Sequence, residues 1–252
     1  MLSDDLPSAA SLGLAGLVHL PTTDSTMDAA HHLAEHGAPA GTLVVADCQA
    51  RGRGRAGKVW ASESGDGLWL TLLERPTDHT SSGVLALRIG MAVADALEPF
   101  VYGQIRLKWP NDVFVEGKLA GILVEARWRD AAIDWVAIGV GVNMCMPSAE
   151  VTASCVGPNV TRAALLTALV PALREAAQRS GGLSAVELQT WHDRDLARGR
   201  RIVSPVLGTV MGIATDGALL VRGSDGVSTV SVSSGSMVFA DAIDENMASE
   251  DV

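Results

Sequence analysis

Gln49-Ala50-Arg51-Gly52-Arg53-Gly54-Arg55-Ala56-Gly57-Lys58-Val59-Trp60 stands between two strand-like runs, Thr42-Leu43-Val44-Val45-Ala46 before it and Leu68-Trp69-Leu70-Thr71-Leu72-Leu73 after it. Its three glycines deny it a regular helix or strand, so it reads as a loop joining two strands. Four cations, Arg51, Arg53, Arg55 and Lys58, crowd this loop in a chain whose formal net charge is -10. Like charges this close repel unless they share an anion. The simplest reading is a mobile loop that closes over a phosphate or carboxylate, with Arg forks and glycine-exposed N–H groups as donors. A solvated basic turn is the plain alternative. An RGG-type RNA-binding segment needs repetition, and the motif occurs once. Neither common nucleotide loop is present: there is no Gly-x-x-x-x-Gly-Lys-Ser/Thr, and no Gly-x-Gly-x-x-Gly opens a helix.

Outward from the loop, 252 residues with 48% hydrophobic content can bury a full core, enough for one large domain plus a small one. The acidic balance argues against general nucleic-acid binding. Cys48, Cys145 and Cys155 form no Cys-x-x-Cys pair and read as reduced thiols of a cytoplasmic protein. The acidic start lacks the basic flank of a signal peptide, and no apolar run is long enough to span a membrane.

Residues 1–11 read as a loose leader, followed by a strand over Leu14–Leu20 that Pro21 ends. Asp24 or Ser25 is a fair N-cap for a helix ending near Gly37, and capping is also the plain role for Ser25 and Thr26. Hydroxyls and open N–H groups at a helix start also suit a polar ligand group. Leu85, Ile89, Val93 and Leu97 recur every four residues as a helical core face. Strands then follow in quick succession: Ile105–Trp109, a turn at Asn111-Asp112, Val113–Val115, Lys118–Glu125 and Asp134–Val142, implying a mostly antiparallel or mixed sheet. A helix is expected from Thr161 to Arg179, kinked or broken at Pro171, and another from Ser184 to Ala197. From Arg200 the texture becomes short β-rich runs around Asp216-Gly217 and Asp225-Gly226, a small barrel-like module. The expected division is 1–198, 199–241, and an acidic, disordered tail over 242–252.

With these pieces in order, the chain resembles the biotin protein ligases over roughly residues 20–240. The likeness rests on Ser25-Thr26, Gln49 with Gly52-Arg53-Gly54-Arg55-x-Gly57, Trp60, Lys108-Trp109-Pro110-Asn111-Asp112, Lys118-Leu119-Ala120-Gly121-Ile122-Leu123, and Gly139-x-Gly141-Val142-Asn143. The resemblance implies an α/β (α+β) mixed-sheet catalytic domain shared with lipoate ligases, followed by an SH3-like β-barrel. It implies a two-step reaction: biotin and MgATP give biotinyl-5′-adenylate and pyrophosphate, then a lysine of a biotin carboxyl carrier domain, in acyl-CoA or pyruvate carboxylases, displaces AMP. No protein nucleophile is required.

By the same resemblance, Ser25, Thr26 and Gln49 would bond biotin's ureido end. Gly52, Arg53 and Arg55 would close over its carboxylate and the phosphate, and Lys118 would bridge the two as a point charge. Gly121, Leu123, Gly139 and Gly141 would lie against biotin, with Asn143 on the same floor. Trp60 would stack near adenine. Arg55, Lys58, Asn111, Lys118 and Asn143 would meet ATP, and Asp112 would hold Mg²⁺. Without the family, Lys118 reads as a solvated turn lysine, Trp60 as simple packing, and Asn111-Asp112 as an Asx turn. Lys58, Met27, Arg51 and Ser236 depart from the usual pattern. The short stretch before Ser25 implies a ligase without a DNA-binding domain, either a monomer or a ligand-dependent homodimer. The rivals are a lipoate ligase or transferase of the same fold, and a nucleic-acid-binding regulator.

Overall fold

The computed structural model describes residues 6–76, 82–147 and 152–241, so the expected acidic tail over 242–252 lies outside the described residues. The chain begins with β1 (Gly16–Leu20), α1 (Thr26–Glu35) and β2 (Thr42–Ala46). β1 and β2 pair in parallel, which requires a crossover, and α1 supplies it. Then come β3 (Gly67–Glu74), α2 (Leu85–Leu97), β4 (Arg106–Lys108), β5 (Asp112–Val115), β6 (Gly117–Arg129) and β7 (Ala132–Asn143). The seven strands form one mixed sheet in the order β1-β2-β3-β7-β6-β5-β4, antiparallel everywhere except β1–β2.

Period-two alternation sorts this sheet into two faces. Leu43, Val45, Leu68, Leu70, Leu72, Ile138, Val140 and Val142 join the main core with Leu85, Ile89, Val93 and Leu97 of α2, the helical face read from the sequence. The intervening residues, Trp69, Thr71, Leu73, Gly139 and Gly141, belong to the other face, where α1 covers one end and leaves the rest open. All eight residues of β3 are buried, the polar Thr71 and Glu74 included.

α3 (Arg162–Gln178) and α4 (Ala185–Arg194) follow. α3 runs through Pro171 as one helix, so the proline does not break it. Proline in a helix interior costs ~3 kcal/mol. Leu165, Leu166, Leu169, Val170 and Leu173 are all completely buried along α3, and each contributes roughly 1.5–3 kcal/mol, so packing outweighs the proline. The leader is not loose throughout. Ala10–Leu12 forms a 3₁₀ turn, Leu12 and Leu14 are buried in the core, and Arg174 of α3 donates to Gly13 O.

The C-terminal strands β8 (Arg201–Ser204), β9 (Gly208–Ile213), β10 (Leu219–Arg222), β11 (Thr229–Val232) and β12 (Val238–Phe239) form a separate antiparallel sheet in the order β11-β10-β9-β8-β12. The 214–217 turn fastens it to the large sheet: Trp109 Nε1 donates to Gly217 O at 3.0 Å, and Leu183 N donates to Thr215 O at 2.7 Å. That places residues 236 and 237 over the open face of the large sheet, beside the 109–112 turn.

Candidate active site

A cleft of about 260 Å³ lies on this open face. The 49–60 loop, the start of α1, the β4–β5 turn, β6, β7 and residues 236–237 surround it. Its floor is glycine by necessity. A Cβ on Gly121 would sit 2.6 Å from the Trp60 ring, one on Gly141 2.8 Å from the same ring, and one on Gly139 2.8 Å from Met27 Cε. Trp60 therefore lies flat on a floor that only glycine provides. Its edge meets Trp69 at a 6.4 Å centroid distance, and Lys118 Nζ sits 4.7 Å from its centroid. The Trp60 indole N–H finds no acceptor among the described residues.

One end of the cleft is uncharged and built for hydrogen bonding. Ser25 caps α1, its Oγ accepting from Met27 N at 3.2 Å. Thr26 donates twice to Gln49 Oε1, from N at 2.8 Å and from Oγ1 at 3.1 Å. Gln49 Nε2 donates to Ser62 Oγ at 2.8 Å, and Thr71 Oγ1 donates to Thr26 Oγ1 at 2.9 Å. The network fixes the Gln49 amide and couples the helix start to the loop that carries the arginines. Capping is thus what Ser25 does here, and it coexists with a place in the cleft wall.

The other end is cationic. Lys118 Nζ lies 3.1 Å from Asp112 Oδ1. Arg55 lines the cleft, and its guanidinium has no hydrogen-bond or ion-pair partner among the described residues. Burial lowers its pKa, partly offset by the attraction of Asp112. Burial also lowers the pKa of Lys108; Asp112 opposes this, and Lys118, Lys58 and Arg200 add repulsion. Lys108 rests 5.0 Å from the Phe239 ring of the C-terminal sheet, a cation–π contact. Cations whose pKa values burial lowers, gathered at a cleft, mark a candidate functional site.

Arg53 is already committed to carboxylates, at 2.5 Å from Asp28 Oδ1 and 2.5 Å from Glu125 Oε1. Arg51 pairs with Asp24 on the outside.

Of the residues singled out from the sequence, Ser25, Thr26, Gln49, Arg53, Arg55, Lys58, Trp60, Asn111, Asp112, Lys118, Gly121, Leu123, Gly139 and Gly141 line one cleft. Gly52 and Asn143 do not. Gly52 lets the loop fold on itself: its O accepts from Trp60 N at 2.9 Å, and a Cβ there would meet Trp60 O at 2.3 Å. Asn143 Nδ2 donates to Lys118 O and Ser154 O, tying β7 to β6 and to the segment beyond. Asn111 reaches the cleft, with one amide N–H donated to Ile122 O at 2.7 Å. Thr71, Lys108 and Met237 are lining residues that sequence reasoning missed as site members. Lys108 stood inside a quoted motif, and Thr71 was the one polar residue of an apolar strand.

Residues 19–143 match the Biotin/lipoate A/B protein ligase family, and residues 200–240 match the Biotin protein ligase C terminal domain. The bifunctional ligase/repressor BirA of Bacillus subtilis is 30% identical over 233 residues, covering 85% of this chain and 71% of the relative. A biotin–[acetyl-CoA-carboxylase] ligase of Paracoccus denitrificans is 31% identical over 232 residues, covering 82% of this chain and 94% of the relative. The biotin protein ligase of Aquifex aeolicus, solved in complex with biotin and ATP, superposes with a TM-score of 0.72 at 26% identity, covering 90% of this chain and 100% of that one. A mixed sheet with a glycine-floored cleft, a small antiparallel sheet behind it, and matches to both halves agree, and the chain belongs to the biotin protein ligase family.

Proposed function

We propose that the protein activates biotin with ATP as biotinyl-5′-adenylate and transfers it to a lysine of a biotin carboxyl carrier domain. The observation that carries this is the division of the cleft. An uncharged hydrogen-bonding end at Thr26 and Gln49 suits a ureido ring, and a cationic end at Arg55, Lys118, Lys58 and Lys108 suits two anions. A biotin carboxylate and an ATP phosphate repel, and fixed cations lower the cost of bringing them together.

In the first step a carboxylate oxygen attacks the α-phosphorus and pyrophosphate leaves. Lys118 stands where its ammonium meets both anions, and Arg55 offers unspent donors to the phosphate. The Trp60 face is the stacking surface for adenine. In the second step the carrier amine attacks the acyl carbon and AMP leaves with the bonding pair. Neither step uses a protein nucleophile.

ATP enters as its magnesium complex. Asp112 is the one carboxylate among the cleft-lining residues, and one carboxylate plus phosphate oxygens is an ordinary Mg²⁺ environment. When bound, the ion neutralises phosphate charge. Asp112 would hold it in exchange for part of its contact with Lys118.

Residues 1–198 serve as the catalytic unit in this reading and 199–241 as the unit that closes one side of the cleft. The partner is the carrier domain of an acyl-CoA or pyruvate carboxylase. Among the described residues no helix is long and apolar enough to cross a membrane. ATP–pyrophosphate exchange tests the substrate: exchange that depends on biotin supports this reading, and exchange that depends on lipoate alone replaces it with the lipoate reading.

A further inference from the structure

The two loop arginines stand in different electrostatic surroundings. Arg55 faces the cleft with no hydrogen-bond or ion-pair partner among the described residues, whereas Arg53 bridges two carboxylates, Asp28 of α1 and Glu125 of β6. Glu125 is itself held in place. Its Oε2 lies 3.0 Å from His31 Nε2, and His31 Nδ1 accepts from Trp135 Nε1 at 2.9 Å. An indole N–H only donates, so Nδ1 must be the bare nitrogen, and the imidazole proton sits on Nε2, aimed at Glu125. His31 is 5% exposed, so this orientation is set by packing rather than by solvent. The result is a chain, Trp135 to His31 to Glu125 to Arg53, that runs from the buried sheet to the glycine-rich loop.

We propose that Glu125, oriented by His31, is a positioning residue that anchors the loop through Arg53, leaving Arg55 as the arginine that grips the substrate anions. The inference rests on the ligase reading given above and divides its loop into an anchor and a grip. Glycines on both sides of Arg53 leave the loop free to swing, and ordering it costs roughly 1–2 kcal/mol per residue fixed. A bridged guanidinium halfway along removes much of that freedom before any ligand arrives. The bridge is anchored on two elements, α1 and β6, that flank the cleft. It holds the loop at the rim with Arg55 two residues further in.

A double-mutant cycle tests the proposal, using full-length Glu125→Gln, Arg53→Gln and the double variant. The readouts are biotin dissociation rate, the kcat and KM of pyrophosphate exchange, and hydrogen exchange over residues 51–59. If Arg53 acts through Glu125, each single variant speeds biotin release by about 1.5-fold to fivefold, the scale of a partly exposed charge pair. Exchange over 51–59 quickens without ligand, KM rises more than kcat falls, and the double variant is no worse than Arg53→Gln alone. Multiplicative effects, or Glu125→Gln matching wild type while Arg53→Gln fails, would overturn it and return Arg53 to direct ligand contact. Trp135→Phe removes the donor that orients His31 together with part of the ring that packs on Leu73 and under Arg75, and it should shift the same readouts in the same direction by a smaller factor. If it leaves them unmoved, the His31 part of the chain falls. Wild type lacking biotin-dependent exchange would strike the ligase reading itself, a result distinct from any of these.

Discussion

Lys118 Nζ sits 3.1 Å from Asp112 Oδ1, so the lysine and the carboxylate proposed to handle opposite charges of one nucleotide are already in contact. β5 and β6 bring them together. Asp112 pairs with Gly121 across the strands, and the Glu116–Gly117 turn returns the chain so that Lys118 comes alongside. Glu116 takes a left-handed φ of 60° there to make the turn tight.

Lys118→Ala is expected to abolish adenylate formation far more than it weakens biotin binding. The ammonium bridges two anions only when both are present, so its loss falls mainly on the transition state. It also leaves Asp112 unpaired beside incoming phosphates, which adds repulsion. Calorimetry with biotin, set beside pyrophosphate exchange, checks this. Near-wild-type exchange would remove Lys118 from the site.

Arg55→Gly is expected to make adenylate and lose it. A charge-assisted hydrogen bond contributes about 1.5–3 kcal/mol, so release should quicken roughly tenfold to a hundredfold. Biotin incorporation into a bystander such as serum albumin, at equal turnover, reports the leak. Labelling no greater than that of wild type would show that Arg55 is not a latch on the intermediate.

Gly121→Ala and Gly141→Ala are expected to expel Trp60 from the cleft floor, because either Cβ would lie under 3 Å from its ring. Overpacking of this kind costs typically about 1–3 kcal/mol of stability, or the ring moves and the adenine-stacking face is lost. ATP titration beside the change in tryptophan fluorescence would show it. Unchanged affinity with a moved indole would mean the ring is packing only.

Far from the cleft, Glu187 hydrogen-bonds the buried Arg88 at 2.7 Å and caps α4 through Ser184. Burial alone would raise its pKa, but the Arg88 and Ser184 hydrogen bonds outweigh it and lower it to about 2. A lowered folded pKa gives stability that is full above the unfolded value of 4.5 and is lost as pH falls from there toward 2. Chemical denaturation of wild type and Glu187→Gln at pH 7 and pH 3 should show a gap at pH 7 that shrinks at pH 3. An equal gap at both would refute the linkage.

The elements and the cleft were legible wherever local chemistry decides them. Gly52, Gly54 and Gly57 marked the loop, Ser25 marked the start of α1, and the four-residue recurrence of Leu85, Ile89, Val93 and Leu97 marked the core face of α2. What was not legible depends on partners far along the chain. Arg53 is bonded to a carboxylate 72 residues away, and no loop composition reveals that it is anchored rather than free. Asn111 and Asn143 each give an N–H to a backbone carbonyl of β6, a bond fixed by strand pairing that the sequence does not reveal. Pro171 spoke for a break, and only the summed burial along α3 explains why the helix continues.

The most direct test of the central claim is mass spectrometry of a biotin carboxyl carrier domain incubated with the protein, biotin and MgATP. The account predicts a gain of one biotinyl group on a single carrier lysine, absent without ATP and absent with Lys118→Ala. No gain, under conditions in which a known biotin ligase labels the same carrier, would contradict it.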